Sequence, residues 1–248
     1  DGSAFYQDRL YTNDGKGNFK LSLLLPEIRN AGSVMAMTDF DKDGDQDIFR
    51  GGRAIPTQYP KPGISRLLTG NNGRFVDNTS TICPELREIG MVTDAIWVDL
   101  DNDTWKDLVI VGELMEISIF KNVRGKLQKS DFGKKTSGFW RCVKAHDIDK
   151  DGDLDLILGN LGTNISVKVS QEKPFKVYGG DFDSNSIWDA ISTNFWGEVE
   201  YPVHAFDDLR RQLPSLRKKF QTFSSYSNAS ISDILSESDI KNSMIKKA

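Results

Sequence analysis

Cysteine and histidine are scarce, with two of each among 248 residues. Cys83 and Cys142 show no CxxC spacing, which excludes a thiolate zinc set; they read as free thiols, the alternative being a disulfide that needs an oxidising compartment and close approach. His146 and His204 read as structural residues of the fold rather than as a catalytic base. No GxSxG, HExxH or phosphate-binding loop occurs, so the common hydrolase, metallopeptidase and nucleotide signatures are missing. No apolar run is long enough to cross a bilayer, and there is no signal-peptide pattern. The chain starts at Asp1 without a methionine, so it reads as an excised or processed piece of a longer protein. A formal charge of −4 offers no basic excess for nucleic acid.

What the chain has instead is aspartate, in one pattern used four times. The stretches are Asp39–Asp47 (DFDKDGDQD), Asp99–Asp107 (DLDNDTWKD), Asp147–Asp155 (DIDKDGDLD) and Asp181–Asp189 (DFDSNSIWD). Together they hold seventeen of the 36 acidic residues. Carboxylates crowded this closely repel one another unless a cation sits among them, and a hard, oxygen-seeking ion such as Ca2+ is the natural occupant. Four divalent ions would move the formal charge from −4 to +4. The spacing assigns oxygen ligands to positions 1, 3, 5 and 9: Asp39, Asp41, Asp43 and Asp47; Asp99, Asp101, Asp103 and Asp107; Asp147, Asp149, Asp151 and Asp155; Asp181, Asp183, Asn185 and Asp189. Position 7 varies (Asp45, Trp105, Asp153, Ile187), as a backbone carbonyl ligand allows.

An EF-hand is the rival reading of DxDxDG, and it needs a bidentate glutamate at position 12 and flanking helices. Position 12 is Arg50, Ile110, Leu158 and Ser192. The sites are expected to be unequal. Gly44 and Gly152 suit a left-handed turn at position 6, whereas Thr104 and Ser186 do not. Loop four also has Asn185 in place of a carboxylate, so it should bind most weakly, followed by loop two.

Each loop lies between apolar, β-prone segments. Before the loops come Val34–Thr38, Met91–Val98, Phe139–His146 and Phe175–Gly180; after them come Ile48–Gly51, Leu108–Gly112, Leu156–Gly159 and Ala190–Phe195. Hairpins follow in the first two units, Arg66–Thr69 with Arg74–Asp77 and Ile117–Asn122 with Lys126–Ser130. The stretch Arg9–Ser22 has the same hairpin character. Four antiparallel strands per repeat make the blade of a β-propeller. Loop starts 60, 48 and 34 residues apart bracket the usual repeat of about 40–50. The expected fold is therefore mainly β, with blades over residues 1–204 and a helical appendage over 205–248. Within that appendage, Ala205–Tyr226 and Ile231–Lys247 show helical spacing of apolar residues, Pro214 should divide the first helix, and Ser230 is a candidate N-cap for the second. The basic cluster Arg210, Arg211, Arg217, Lys218 and Lys219 reads as its solvated face.

These loops and strands, from Arg9 to Phe195, resemble FG-GAP/VCBS repeats, the blades of integrin-α-like propellers. Asn160–Phe182 and Tyr201–Ile234 resemble bacterial cell-surface proteins that join such repeats to an ASPIC/UnbV-type region. The resemblance implies calcium at the loop aspartates and an exported, surface-associated protein longer than this chain. Two arrangements fit the length: an arc cut from a larger ring, which is favoured, or a four-bladed ring closed by Arg9–Ser22. An arc would leave sheet edges open to self-association.

Three functions follow as expectations. The first is a calcium-stabilised extracellular module that binds or scaffolds a protein or glycan, with Trp97, Trp105, Trp140, Trp188 and Trp196 as aromatic candidates for a sugar-binding face. The second is a polysaccharide lyase or hydrolase that pairs acids among Glu113, Glu116, Glu198 and Glu200. The third is a spacer without a partner.

Overall fold

A computed structural model describes residues 2–133, 136–162 and 169–248. Among the described residues sixteen strands carry the fold: β1 (Leu10–Asn13), β2 (Phe19–Ser22), β3 (Gly32–Thr38), β4 (Asp47–Gly52), β5 (Arg66–Asn71), β6 (Arg74–Asp77), β7 (Met91–Val98), β8 (Asp107–Met115), β9 (Ser118–Asn122), β10 (Leu127–Ser130), β11 (Gly138–His146), β12 (Asp155–Asn160), β13 (Lys176–Gly180), β14 (Asp189–Trp196), β15 (Val199–Pro202) and β16 (Met244–Lys247). Helices are short: α1 (Thr79–Ile82), α2 (Phe206–Gln212), α3 (Leu216–Lys219), α4 (Phe223–Ser227), α5 (Ile231–Ile234) and α6 (Glu237–Asn242). The protein is mainly β, and every named strand pair is antiparallel.

The first unit forms the sheet β3-β4-β5-β6. The second runs β7-β8-β9-β10, and the end of β8 also pairs with β11, so β11 and β12 extend the same sheet. Central strands β4 and β8 are buried along their whole length, as strands covered on both faces must be. The β5–β6 turn is tight because Asn72 and Gly73 both take positive φ, 51° and 77°. The first sheet lies close against β7: a Cβ on Gly51 would fall 2.6 Å from Val92 Cγ1. Phe40, Phe49, Leu67, Leu108, Ile110 and Phe120 fill the core between these sheets. Val98, Val109, Val111 and Val143 form the next core, toward β11 and β12.

The fourth sheet is ordered β15-β14-β13-β16. Two expectations change here. Arg9–Ser22 does form a hairpin, but β1 and β2 make their own two-stranded sheet and do not complete the fourth unit. The C-terminus supplies the extra strand, since Met244–Lys247 pairs with β13 where helix was expected through Lys247. The physical reason is an open backbone edge on β13, which an extended tail satisfies and a helix cannot. Pro214 does divide the helical segment, and Ser230 caps α5 in a capping box with Asp233. Arg211, Arg217, Lys218 and Lys219 are exposed. Of the stretch Asn160–Phe182, residues 163–168 lie outside the described residues.

Phe206, Leu209, Leu213, Leu216, Ile231 and Leu235 pack with Tyr178 and Ile191 of the fourth sheet. Cys83 and Cys142 are free; burial and then Glu85 push the Cys83 thiol up to about 12. Leu209→Ala, at a fully buried position, should destabilise the chain by about 2–5 kcal/mol, read by urea denaturation.

Candidate metal centres

The position-12 residues sit in β4, β8, β12 and β14, so strands rather than helices leave the loops, and an EF-hand is excluded. All four loops share one backbone shape. Position 6 has positive φ at Gly44 (97°), Thr104 (75°), Gly152 (100°) and Ser186 (66°). Position 4 does too, at Lys42 (61°), Asn102 (57°), Lys150 (64°) and Ser184 (59°). Each non-glycine residue in this region carries a steric cost of about 1–2 kcal/mol. The turn at position 4 was not read from the sequence, because its residue varies (Lys42, Asn102, Lys150, Ser184) and lysine carries no turn signal.

The turns aim backbone N–H groups at the acids. Position 1 accepts from the position-6 N–H in every loop: Asp39 from Gly44 at 3.1 Å, Asp99 from Thr104 at 2.8 Å, Asp147 from Gly152 at 3.1 Å and Asp181 from Ser186 at 2.9 Å. Position 5 accepts from position 7, at 2.8 Å (Asp43), 2.8 Å (Asp103), 2.9 Å (Asp151) and 2.6 Å (Asn185). Position 9 accepts through Oδ2 from position 2, which ties the loop to the head of the second strand: Asp47 from Phe40, Asp107 from Leu100, Asp155 from Ile148 and Asp189 from Phe182.

The loops differ at the other oxygen of position 9. Asp47 Oδ1 accepts from Gly70 at 2.9 Å, and Asp107 Oδ1 from Asn122 at 2.8 Å. Those two carboxylates are therefore committed to the neighbouring strand. Correspondingly, the oxygens that gather are Asp39, Asp41 and Asp43 in loop one and Asp99, Asp101 and Asp103 in loop two. In loops three and four position 9 joins instead, giving Asp147, Asp149 and Asp155, and Asp181, Asp183 and Asp189. Asp151 is outside its cluster. At position 7, Asp45 turns away to accept from Asn72 at 2.8 Å, and Asp153 accepts from Asn102 at 2.8 Å.

In each cluster the oxygens lie within 4.8 Å of one another. That is the span of ligands placed about 2.3–2.6 Å from a shared Ca2+. Asp39 Oδ1, Asp147 Oδ1 and Asp183 Oδ1 are enclosed and accept no hydrogen bond. An enclosed carboxylate oxygen without a donor is costly, and a cation among the three acids removes that cost. The residues present therefore fit a metal ion. In loop two a side chain already supplies positive charge: Lys121 Nζ sits 2.9 Å from Asp101 Oδ2, and this contact lowers the pKa of Asp101. Loops one and two also touch, with Lys42 donating to Thr104 Oγ1 at 2.8 Å and lying 4.3 Å from the Trp105 ring centre.

Three of the four acids of the enzyme reading are held by donors of their own. Burial alone would raise the Glu113 pKa, but hydrogen bonds from Tyr59 and Arg53, with the charges of Arg53 and Arg141, bring it below the ordinary value. Glu200 is held by Lys176 at 2.6 Å, Tyr178 at 2.9 Å and Thr193. Glu198 pairs with Lys173, and Glu116 is exposed. His204 Nε2 accepts from the Ser192 N–H at 2.9 Å, and burial keeps its pKa low, so it acts as a neutral strap.

The sequence model of the FG-GAP-like repeat family matches residues 99–158, from the first aspartate of loop two to the strand after loop three. No curated protein matches the chain. Among the described residues, no helix is long and apolar enough to cross a membrane.

Burial, together with the charges of Asp41 and Asp43, pushes Asp47 up to about 6. Its folded pKa lies above the ordinary aspartate value of 3.8, so its ionisation removes stability as pH rises through that window. Carboxyl-carbon NMR of the metal-free protein should show Asp47 titrating near pH 6.

Proposed function

We propose that the chain is a calcium-stabilised segment of an FG-GAP-type propeller that serves as an exported binding or scaffolding module for a protein or glycan. The observation that carries this reading is the fourfold recurrence of one loop geometry with acids gathered at ligand spacing. Calcium would be held by positions 1, 3, 5 and 9 with the position-7 carbonyl, after small adjustment of the aspartates that now face backbone amides. When bound, the ion neutralises the acids and joins the two strands that flank each loop. The repeat match at residues 99–158 supports a propeller-like arrangement. The bacterial-surface setting and the ASPIC/UnbV-type tail rest on sequence resemblance. Saturation of Glu113 and Glu200 by their own donors favours binding over hydrolysis. A spacer role would share the same calcium chemistry and differ only in having no partner.

Calorimetric titration should show Ca2+ binding at unequal sites, weakest at loop four and next at loop two. Each filled site adds about 2.7 kcal/mol of stability when free calcium is about 100 times its Kd. Exhaustive chelation should lower the Tm; an unchanged Tm would defeat the reading. Lys121→Gln should tighten the loop-two site, because it removes the ammonium that competes at Asp101.

A further inference from the structure

Most of the tryptophans are used by the fold. Trp97 stacks on Phe40 with ring centres 5.7 Å apart and donates to Ala36 O at 3.0 Å. Trp140 donates to Thr136 O at 2.8 Å, and Trp188 to Tyr59 O at 2.9 Å. Trp105 lies against Lys42. Trp196, at the end of β14, is 82% exposed.

The strand register shows what surrounds it. Trp196 is opposite Val199, and Asn194 is opposite Tyr201. Residues two apart share a face of a strand, so Asn194, Trp196, Val199 and Tyr201 project from one side of the β14–β15 hairpin. Tyr226, Ser227 and Asn228, at the end of α4, form the facing wall of a cleft of about 450 Å³. That volume lies within the roughly 300–1,000 Å³ of small-molecule sites. Tyr226 is fixed in place: its hydroxyl donates to His204 O at 2.7 Å, and its ring stacks on Phe206 at 4.9 Å. Asn194 Oδ1 is enclosed and accepts no hydrogen bond. None of the lining residues carries a charge.

We infer that this cleft binds a neutral saccharide. Indole and phenol rings take the C–H face of a sugar ring, and the Asn194, Ser227 and Asn228 side chains meet its hydroxyls. A purely apolar ligand would leave the Asn194 amide without a partner, and a charged ligand would find no counter-charge in the lining. The inference rests on the proposed role as a binding module and names a ligand class and a place for it.

The test uses the whole chain with calcium, titrated with cello-, xylo-, manno- and chito-oligosaccharides and followed by calorimetry and tryptophan fluorescence. Saturable binding of at least one of these is expected, weakened at least about tenfold by Trp196→Ala without loss of Tm. Asn194→Ala should also weaken it. No binding to any of the four, undiminished binding by Trp196→Ala, or a preference for polygalacturonate would overturn the proposal. Calcium titrated separately into the chelated, metal-free chain separates the two readings. Calcium uptake without sugar binding overturns the saccharide site alone, and sugar binding without calcium uptake overturns the metal reading alone.

Discussion

Backbone amides hold the acids of this protein in place, and the rest of the structure is organised around that arrangement. Each loop closes through a position-9 aspartate whose oxygen accepts the N–H of position 2. In loop one that hydrogen bond sits directly over the core, because Phe40 at position 2 is buried and stacks on Trp97. The loop, the strand behind it and the next sheet are therefore coupled. Repulsion among the carboxylates works against this coupling, and a bound cation would reinforce it.

The four loops are variations on one solution. Loops one and two commit both oxygens of position 9 to backbone, one of them on the neighbouring strand at Gly70 or Asn122. Loops three and four leave one oxygen of position 9 to join the acidic cluster. Loop three has the same five aspartates as loop one, yet Asp155 and Ile148 are exposed where Asp47 and Phe40 are buried. Ligand count and anchoring to the core are therefore separate properties of these loops.

The fourth unit shows how the chain handles an open sheet. Its strands β13 and β14 are flanked by β15 on one side and by the returning C-terminal strand β16 on the other. The helices between them bury their apolar faces on Tyr178 and Ile191. The same packing fixes Tyr226 on the wall of the cleft that Trp196 also lines, so helical appendage and sheet together shape it.

The strands and acidic loops were legible because both are local. Alternating apolar residues and DxDxD spacing need no partner to be recognised, and β7 runs from Met91 to Val98 as its residues indicate. The division of the helix at Pro214 and the cap at Ser230 are local in the same sense. Tertiary structure alone decided the rest. The pairing of Met244–Lys247 with β13, the salt bridge from Lys121 to Asp101 and the exposure of Trp196 while Trp97 and Trp188 donate to remote backbone all depend on partners distant in the chain. A sequence pattern records a residue's preference for its own backbone, but it does not record which remote edge, charge or ring that residue will meet.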